Sequence, residues 1–342
     1  MPQTLAEIPT VNSKSSIGDV LRDGEESLAA AGVENPRLDA EHLLAHCLGI
    51  EPWRLLLERE RVLNPAQEAQ FQLLLEARRL RRPLAYILGE AGFYDLVLSV
   101  DPRALIPRPE TELLVEKALQ ILEGTTGPEV IEIGCGSGAI VLALARRLPS
   151  GRIGASDVSQ AALDLAKENA ARLGLEGRID FRPGDLFAPW PDRRGRGVDL
   201  VVANPPYLSR EELDTAPPEV RDYEPREALE GGEDGLAVIR RLVGEAADYL
   251  RPGGRLLFEI GSGQGQAVRE LSGPAAPVIA RSEATKQSQL GSNSAGQVSV
   301  EDCFAPSAPA MTDSVAAGLE LIELAKDYCG RDRVAVFGRR NG

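Results

Sequence analysis

An alternation that begins at residue 130 constrains this chain more than any other feature. Short apolar runs (V-I-E-I-G at 130–134, R-I-G-A-S-D at 152–157, R-I-D-F-R-P-G-D at 178–185, V-D-L-V-V-A-N-P-P-Y at 198–207, G-G-R-L-L-F-E-I-G at 253–261) take turns with longer stretches of helical period at 139–148, 161–174 and 235–250. Parallel strands need a crossover connection, and a helix supplies one while covering an apolar sheet face. Strand and helix alternating at this spacing therefore predict an α/β fold, a mostly parallel sheet with helices on both faces. Residues 319–327 and 333–339 read as a closing strand pair.

Upstream the period is different. Leu38, His42, Leu43 and Cys47 recur at helical spacing, as do Leu73, Leu74, Ala77 and Leu80. Asn35-Pro36 and Asn64-Pro65 mark helix starts and Gly49 a stop. The expected organisation is a flexible tail at 1–14, a small all-helical domain at 15–88, a hairpin linker at 89–104 and the α/β domain at 105–342. Residues 274–312 are rich in Ala, Ser, Pro and Gly with no sustained period, and read as a disordered surface insertion. Such an insertion is permissible because the entropy of closing a loop grows slowly with its length. Arg78, Arg79, Arg81 and Arg82 read as a solvated helix end, where cations meet the negative end of the helix dipole.

The 342 residues exceed one average domain, and 43% of them are hydrophobic, enough for a sizeable core. The net charge of −14 speaks against a protein that grips a nucleic-acid backbone, which needs a basic face. Cys47, Cys135, Cys303 and Cys329 are scattered, with no C-x-x-C pair, so neither a zinc site nor a disulfide framework is expected. His42 and His46 stand four apart with no third histidine in the chain and read as helix-face residues, so no metal is expected. No apolar run nears the roughly 20 residues that span a bilayer, and the N-terminus lacks the pattern of a signal peptide. A cytoplasmic protein is the expectation.

Two loops carry the chemistry. Gly134, Cys135, Gly136, Ser137 and Gly138 follow one strand and open the next helix, a place where glycines let the backbone approach a ligand closely. Asp157, at the end of the following strand, is placed to accept both ribose hydroxyls of a nucleotide ligand. Asp185 can reach an adenine amino group, with Leu186 and Phe187 packing on the ring. Glu132 extends the loop to E-x-G-x-G-x-G, which suits S-adenosyl-L-methionine better than a dinucleotide: it has no pyrophosphate to cradle, and its positive sulfonium and amino groups favour carboxylates. The second loop is Asn204-Pro205-Pro206-Tyr207. Its prolines remove backbone donors and leave carbonyl acceptors. The Asn204 side-chain oxygen and the Pro205 carbonyl can each take one hydrogen of a planar NH₂ group, while Tyr207 offers an aromatic face.

At these residues the sequence resembles the amino-methyltransferases that carry N/D-P-P-Y/F/W. R-P-L-A-Y-I-L-G at 82–89, Phe93, L-I-P-R-P-E-T-E at 105–112, residues 199–208, E-P-R-E-A-L at 224–229, residues 232–236, E-I-G at 259–261 with Gln264, and D-R-V at 332–334 are similar, more narrowly, to the bacterial release-factor glutamine methyltransferases. The resemblance spans residues 17–339. It implies a Rossmann-like class I methyltransferase with a seven-stranded, mostly parallel sheet and an N-terminal helical substrate-recognition domain. It further implies S-adenosyl-L-methionine held by residues 134–138, Asp157, Leu186 and Asn204, a glutamine amide held by Asn204, Pro205, Pro206 and Tyr207, and methylation of the glutamine in the Gly-Gly-Gln motif of peptide chain release factors. The expected partner is the release factor, with no stable nucleic acid and no membrane, and the expected state is a monomer. The alternative is an adenine-N6 DNA or RNA methyltransferase, whose target amino group poses the same geometric problem. The family's pattern has no counterpart of the 274–312 insertion.

Overall fold

A computed structural model describes residues 15–272 and 318–340. The expected tail at 1–14 and the insertion at 274–312 lie outside the described residues.

Five helices come first: α1 (Ile17–Ala30), α2 (Pro36–Leu48), α3 (Arg54–Leu57), α4 (Pro65–Arg79) and α5 (Leu84–Leu88). Ser16 and Asn64 cap α1 and α4 through reciprocal capping boxes with Asp19 and Gln67, so the chain fixes these helix starts locally. Phe71, Leu28, Leu43 and Leu44 are fully buried in the shared core of this unit. The antiparallel strands β1 (Glu90–Phe93) and β2 (Leu96–Ser99) form a hairpin, and α6 (Glu112–Ile121) leads into the sheet.

The sheet is assembled from β3 (Glu129–Ile133), α7 (Ala139–Arg147), β4 (Arg152–Asp157), α8 (Gln160–Arg172), β5 (Ile179–Pro183) and β6 (Val198–Ala203). After the short helices α9 (Arg210–Asp214) and α10 (Pro218–Arg221) come α11 (Ala237–Ala246), β7 (Leu250–Glu259), α12 (Gly265–Leu271), β8 (Leu319–Lys326) and β9 (Asp332–Arg339). The strand order is β5-β4-β3-β6-β7-β9-β8, parallel from β5 to β7 and antiparallel at β9. The mostly parallel, seven-stranded, Rossmann-like sheet of the sequence reading is therefore found. One face packs on α6, α7 and α8 and the other on α11 and α12, giving two separate apolar layers. From β3 the chain first builds outward through β4 and β5, then returns to place β6 on the other side of β3. The carboxyl ends of β3 and β6 flank this switch point, where open α/β sheets bind their ligands. The glycine loop follows β3 and the Asn-Pro-Pro-Tyr loop follows β6. No helix among the described residues is long and apolar enough to cross a membrane.

Two members of the arginine cluster, Arg78 and Arg81, depart from the solvated helix end that its spacing indicates. Arg78 is only 6% exposed. Its guanidinium donates to Asp39 at 2.6 Å and to Glu219 at 2.9 Å, and Arg81 grips the same Glu219 with two bonds of 2.7 Å. Tyr223 adds a hydroxyl bond to the Leu80 carbonyl. Glu219 and Tyr223 sit in the segment that follows β6, so the cluster joins the helical unit to the stretch of chain beside the site. Arg79 and Arg82 match the expectation: both are exposed, Arg79 paired with Glu76 and Arg82 in no ion pair among the described residues. Removing a buried arginine strands the carboxylates it pairs with and costs far more than removing an exposed one. Arg78→Met is expected to lower the unfolding free energy by about 3–5 kcal/mol, and Arg79→Met to change it by about 0.5 kcal/mol or less. Urea denaturation checks this, with Trp53 reporting on the helical unit and Trp190 on the sheet.

Candidate active site

The two loops enclose one cavity of about 210 Å³ at the switch point. It brings together Gly134, Cys135, Gly136 and Ser137 from the first loop, Asp157, Asp185 and Leu186 from the ends of β4 and β5, and Asn204, Pro205 and Pro206 from the second. Three residues of the sequence reading lie outside its lining: Gly138, Tyr207 and Phe187. Gly138 is the helix-packing glycine at the N-cap of α7: at φ +86°, a Cβ there would sit 3.0 Å from Leu142 and 3.2 Å from Ala166. Tyr207 is turned toward Glu259, to whose Oε1 its hydroxyl donates at 3.1 Å.

Each loop is held by partners distant in the sequence. Asp157 accepts from the Gly136 amide at 2.8 Å and from the Ser159 amide at 2.9 Å, so one carboxylate ties the glycine loop to β4 while each of its oxygens keeps a free lone pair. Ser159, not Asp157, caps α8. Burial, partly offset by those amide bonds, pushes the Asp157 carboxyl above its ordinary range. Asp185 is exposed and paired with Arg241 at 2.5 Å. Leu186 adopts φ +45° and faces the cavity. Phe187 corrects the sequence reading: it turns into the core and stacks on Tyr249 with ring centroids 4.4 Å apart, so of the two only Leu186 lines the cavity. Burial also raises the Cys135 thiol well above its usual value, so it is a small buried side chain and no nucleophile.

The second loop is clamped from both sides. The Gln264 side chain donates to the Tyr207 carbonyl at 2.8 Å and accepts from the Gly261 amide at 2.9 Å. The Leu208 amide bonds the Leu229 carbonyl, and the Gly231 amide the Leu208 carbonyl. At the cavity, the Asn204 amide nitrogen donates to the Thr111 hydroxyl at 3.2 Å.

Glu132 is the cavity residue whose weight the sequence reading underrated. It is 1% exposed, and its Oε2 has no hydrogen-bond partner. A buried carboxyl oxygen left unpaired calls for a ligand to satisfy it. Beside it, a Cβ on Gly134 would meet no protein atom within 4 Å, so the wall is open for close approach. An orphaned carboxyl and an open glycine wall fit S-adenosyl-L-methionine: Glu132 would hold its ammonium group and Asp157 its ribose.

Burial raises the Glu132 carboxyl well above the ordinary 4.5, and Asp157 adds repulsion. A carboxyl whose folded value is raised contributes stability below its unfolded value and loses that contribution as pH rises through the folded one. Glu132→Gln is therefore expected to melt with the wild type near about pH 5 and above it near about pH 8.5. The same variant is expected to bind S-adenosyl-L-methionine roughly tenfold more weakly, the loss of a charge-assisted hydrogen bond. Melting curves and calorimetric titration at the two pH values check both signs.

The chain matches two family models, PrmC N-terminal domain over residues 19–89 and Methyltransferase small domain over residues 109–217. Among curated proteins it is 44% identical over 259 residues to the release factor glutamine methyltransferase of Moorella thermoacetica, covering 76% of this chain and 89% of that one. The enzyme of the same name from Cereibacter sphaeroides is 44% identical, covering 74% and 88%. That of Vibrio cholerae serotype O1 is 41% identical, covering 75% and 88%.

Proposed function

The chain belongs to the release factor glutamine methyltransferases, and from that membership we propose that it methylates the side-chain amide nitrogen, N5, of the glutamine in the Gly-Gly-Gln motif of peptide chain release factors. It is an S-adenosyl-L-methionine-dependent enzyme. The reading comprises a cytoplasmic monomer with the release factor as its protein substrate and no nucleic-acid or membrane partner. Residues 15–88 recognise the body of the factor, and residues 105–342 carry out the transfer.

One observation carries the assignment of the substrate group. The Asn204 amide spends its nitrogen on Thr111, which leaves its oxygen as an acceptor in the cavity that the glycine loop also lines. A glutamine amide nitrogen is a poor nucleophile because its lone pair is delocalised into the carbonyl. Asn204 Oδ1 and the Pro205 carbonyl would take one amide hydrogen each, returning density to nitrogen and favouring its pyramidal form. Pro206 walls the pocket, and Tyr207 closes the loop that carries it. Bound S-adenosyl-L-methionine supplies an electrophilic methyl group and neutralises its own charge on giving it up. Holding the nitrogen in line is then the main task of the chain, and positioning of this kind lowers a barrier by roughly 7–11 kcal/mol. No general base is needed before transfer, since the product loses its proton afterwards to water.

The test is transfer of labelled methyl to purified release factor, beside the same factor with its tip glutamine replaced by alanine, and beside DNA. Label on the intact factor alone supports the reading. Label on DNA moves the assignment to an adenine-N6 enzyme, and label on neither removes it.

A further inference from the structure

An asparagine amide can turn either end toward a cavity, and only its oxygen accepts hydrogen bonds. What decides the end here is a buried chain that starts 93 residues upstream of Asn204 and ends on another strand. Thr111 Oγ1 accepts from the Asn204 nitrogen at 3.2 Å, and its single proton goes to Glu259 Oε2 at 2.6 Å. Glu259, at the end of β7, takes the Tyr207 hydroxyl on its other oxygen at 3.1 Å. Thr111 is 4% exposed and Glu259 1%, so water does not compete for these bonds. Burial raises the Glu259 carboxyl, while the bonds from Thr111 and Tyr207 and the Arg333 guanidinium favour its charged form. In this geometry each of the two hydroxyls gives its proton to a different oxygen of Glu259. With its proton spent, Thr111 can only accept from Asn204, and the Asn204 nitrogen is the end that must face it.

We propose that Thr111 and Glu259 are positioning residues that lock the Asn204 amide with its oxygen toward the cavity, so that the site admits a donor NH₂ group and turns away an acceptor. The same carboxyl group anchors Tyr207, so both ends of the Asn-Pro-Pro-Tyr loop hang from one buried side chain. The inference rests on the reading that Asn204 receives the substrate amide.

Three variants of the full chain test it with intact release factor. Thr111→Val keeps the shape and removes the hydroxyl, and kcat should fall roughly tenfold to a hundredfold while KM and the affinity for S-adenosyl-L-methionine stay within about threefold. Thr111→Ser restores the hydroxyl and should recover kcat to within about threefold of wild type. Glu259→Gln keeps the size but offers one acceptor oxygen to two donors, and kcat should fall roughly tenfold; it carries the test if the valine variant does not fold. A valine or glutamine variant with wild-type kcat overturns the inference, as does a serine variant as slow as the valine one. These outcomes are read against an active wild type; a wild type that transfers no methyl to the factor overturns the proposed function instead.

Discussion

Asn204→Ala is expected to lower kcat by about 10²–10³-fold, the usual effect of removing one preorganised polar contact from a reacting group. The substitution does two things at once. It deletes the acceptor that would take a substrate hydrogen, and it strips Thr111 Oγ1 of the donor it accepts from. Because the interaction matters most as the nitrogen becomes pyramidal, the loss should fall on kcat more than on KM. Steady-state kinetics with saturating release factor separate the two parameters. A variant that keeps wild-type kcat and loses only KM would mean that Asn204 binds the glutamine without helping it react.

Gly235→Ala is the second large effect. Gly235 lies at φ +73°, and a Cβ there would stand 2.3 Å from the Tyr207 carbonyl and 2.7 Å from the Gln264 amide nitrogen. Those two groups bond each other, and that bond clamps the loop. The carbonyl is backbone and cannot step aside as a long side chain would. Alanine must therefore pay twice, in left-handed strain of about 1–3 kcal/mol and in displacing the loop that carries Pro205 and Pro206. A shift of about 1 Å in a positioning loop costs on the order of 10²-fold in rate, so kcat/KM should fall at least that far. Gly263→Ala is the matched control: its Cβ would meet nothing within 4 Å, and it should stay within about 0.5 kcal/mol of wild-type stability.

Local rules made much of the architecture legible. The strands β3, β4 and β6 are short apolar runs that end at glycine, aspartate or Asn-Pro, and each falls where its sequence pattern puts it. The helix starts at Pro36 and Pro65 are written in the prolines of the first turn, and at Pro65 also in the capping Asn64. The glycine loop and the Asn-Pro-Pro-Tyr loop were legible for the same reason, since glycine and proline restrict the backbone whatever surrounds them. The sheet order then brings the two loops to one cavity.

What the sequence hid depends on partners far along the chain. Arg78 looks like any arginine at a helix end until Glu219, 141 residues away, buries it. Thr111 and Glu259 are separated by 148 residues, and nothing in either neighbourhood announces the bond between them. Phe187 follows Leu186 directly, yet the positive φ of Leu186 sends the two side chains to opposite destinations, one to the cavity and one against Tyr249. Glu132 was visible as a motif letter, but its unpaired oxygen is a property of packing.

What decides the function is which atom receives the methyl group. Release factor incubated with this enzyme and S-adenosyl-L-methionine, then digested and fragmented in a mass spectrometer, locates it directly. A single added methyl is expected on the side-chain amide nitrogen of the Gly-Gly-Gln glutamine. A methyl on any other residue, or an unmodified tip glutamine after full turnover of the cofactor, would contradict it.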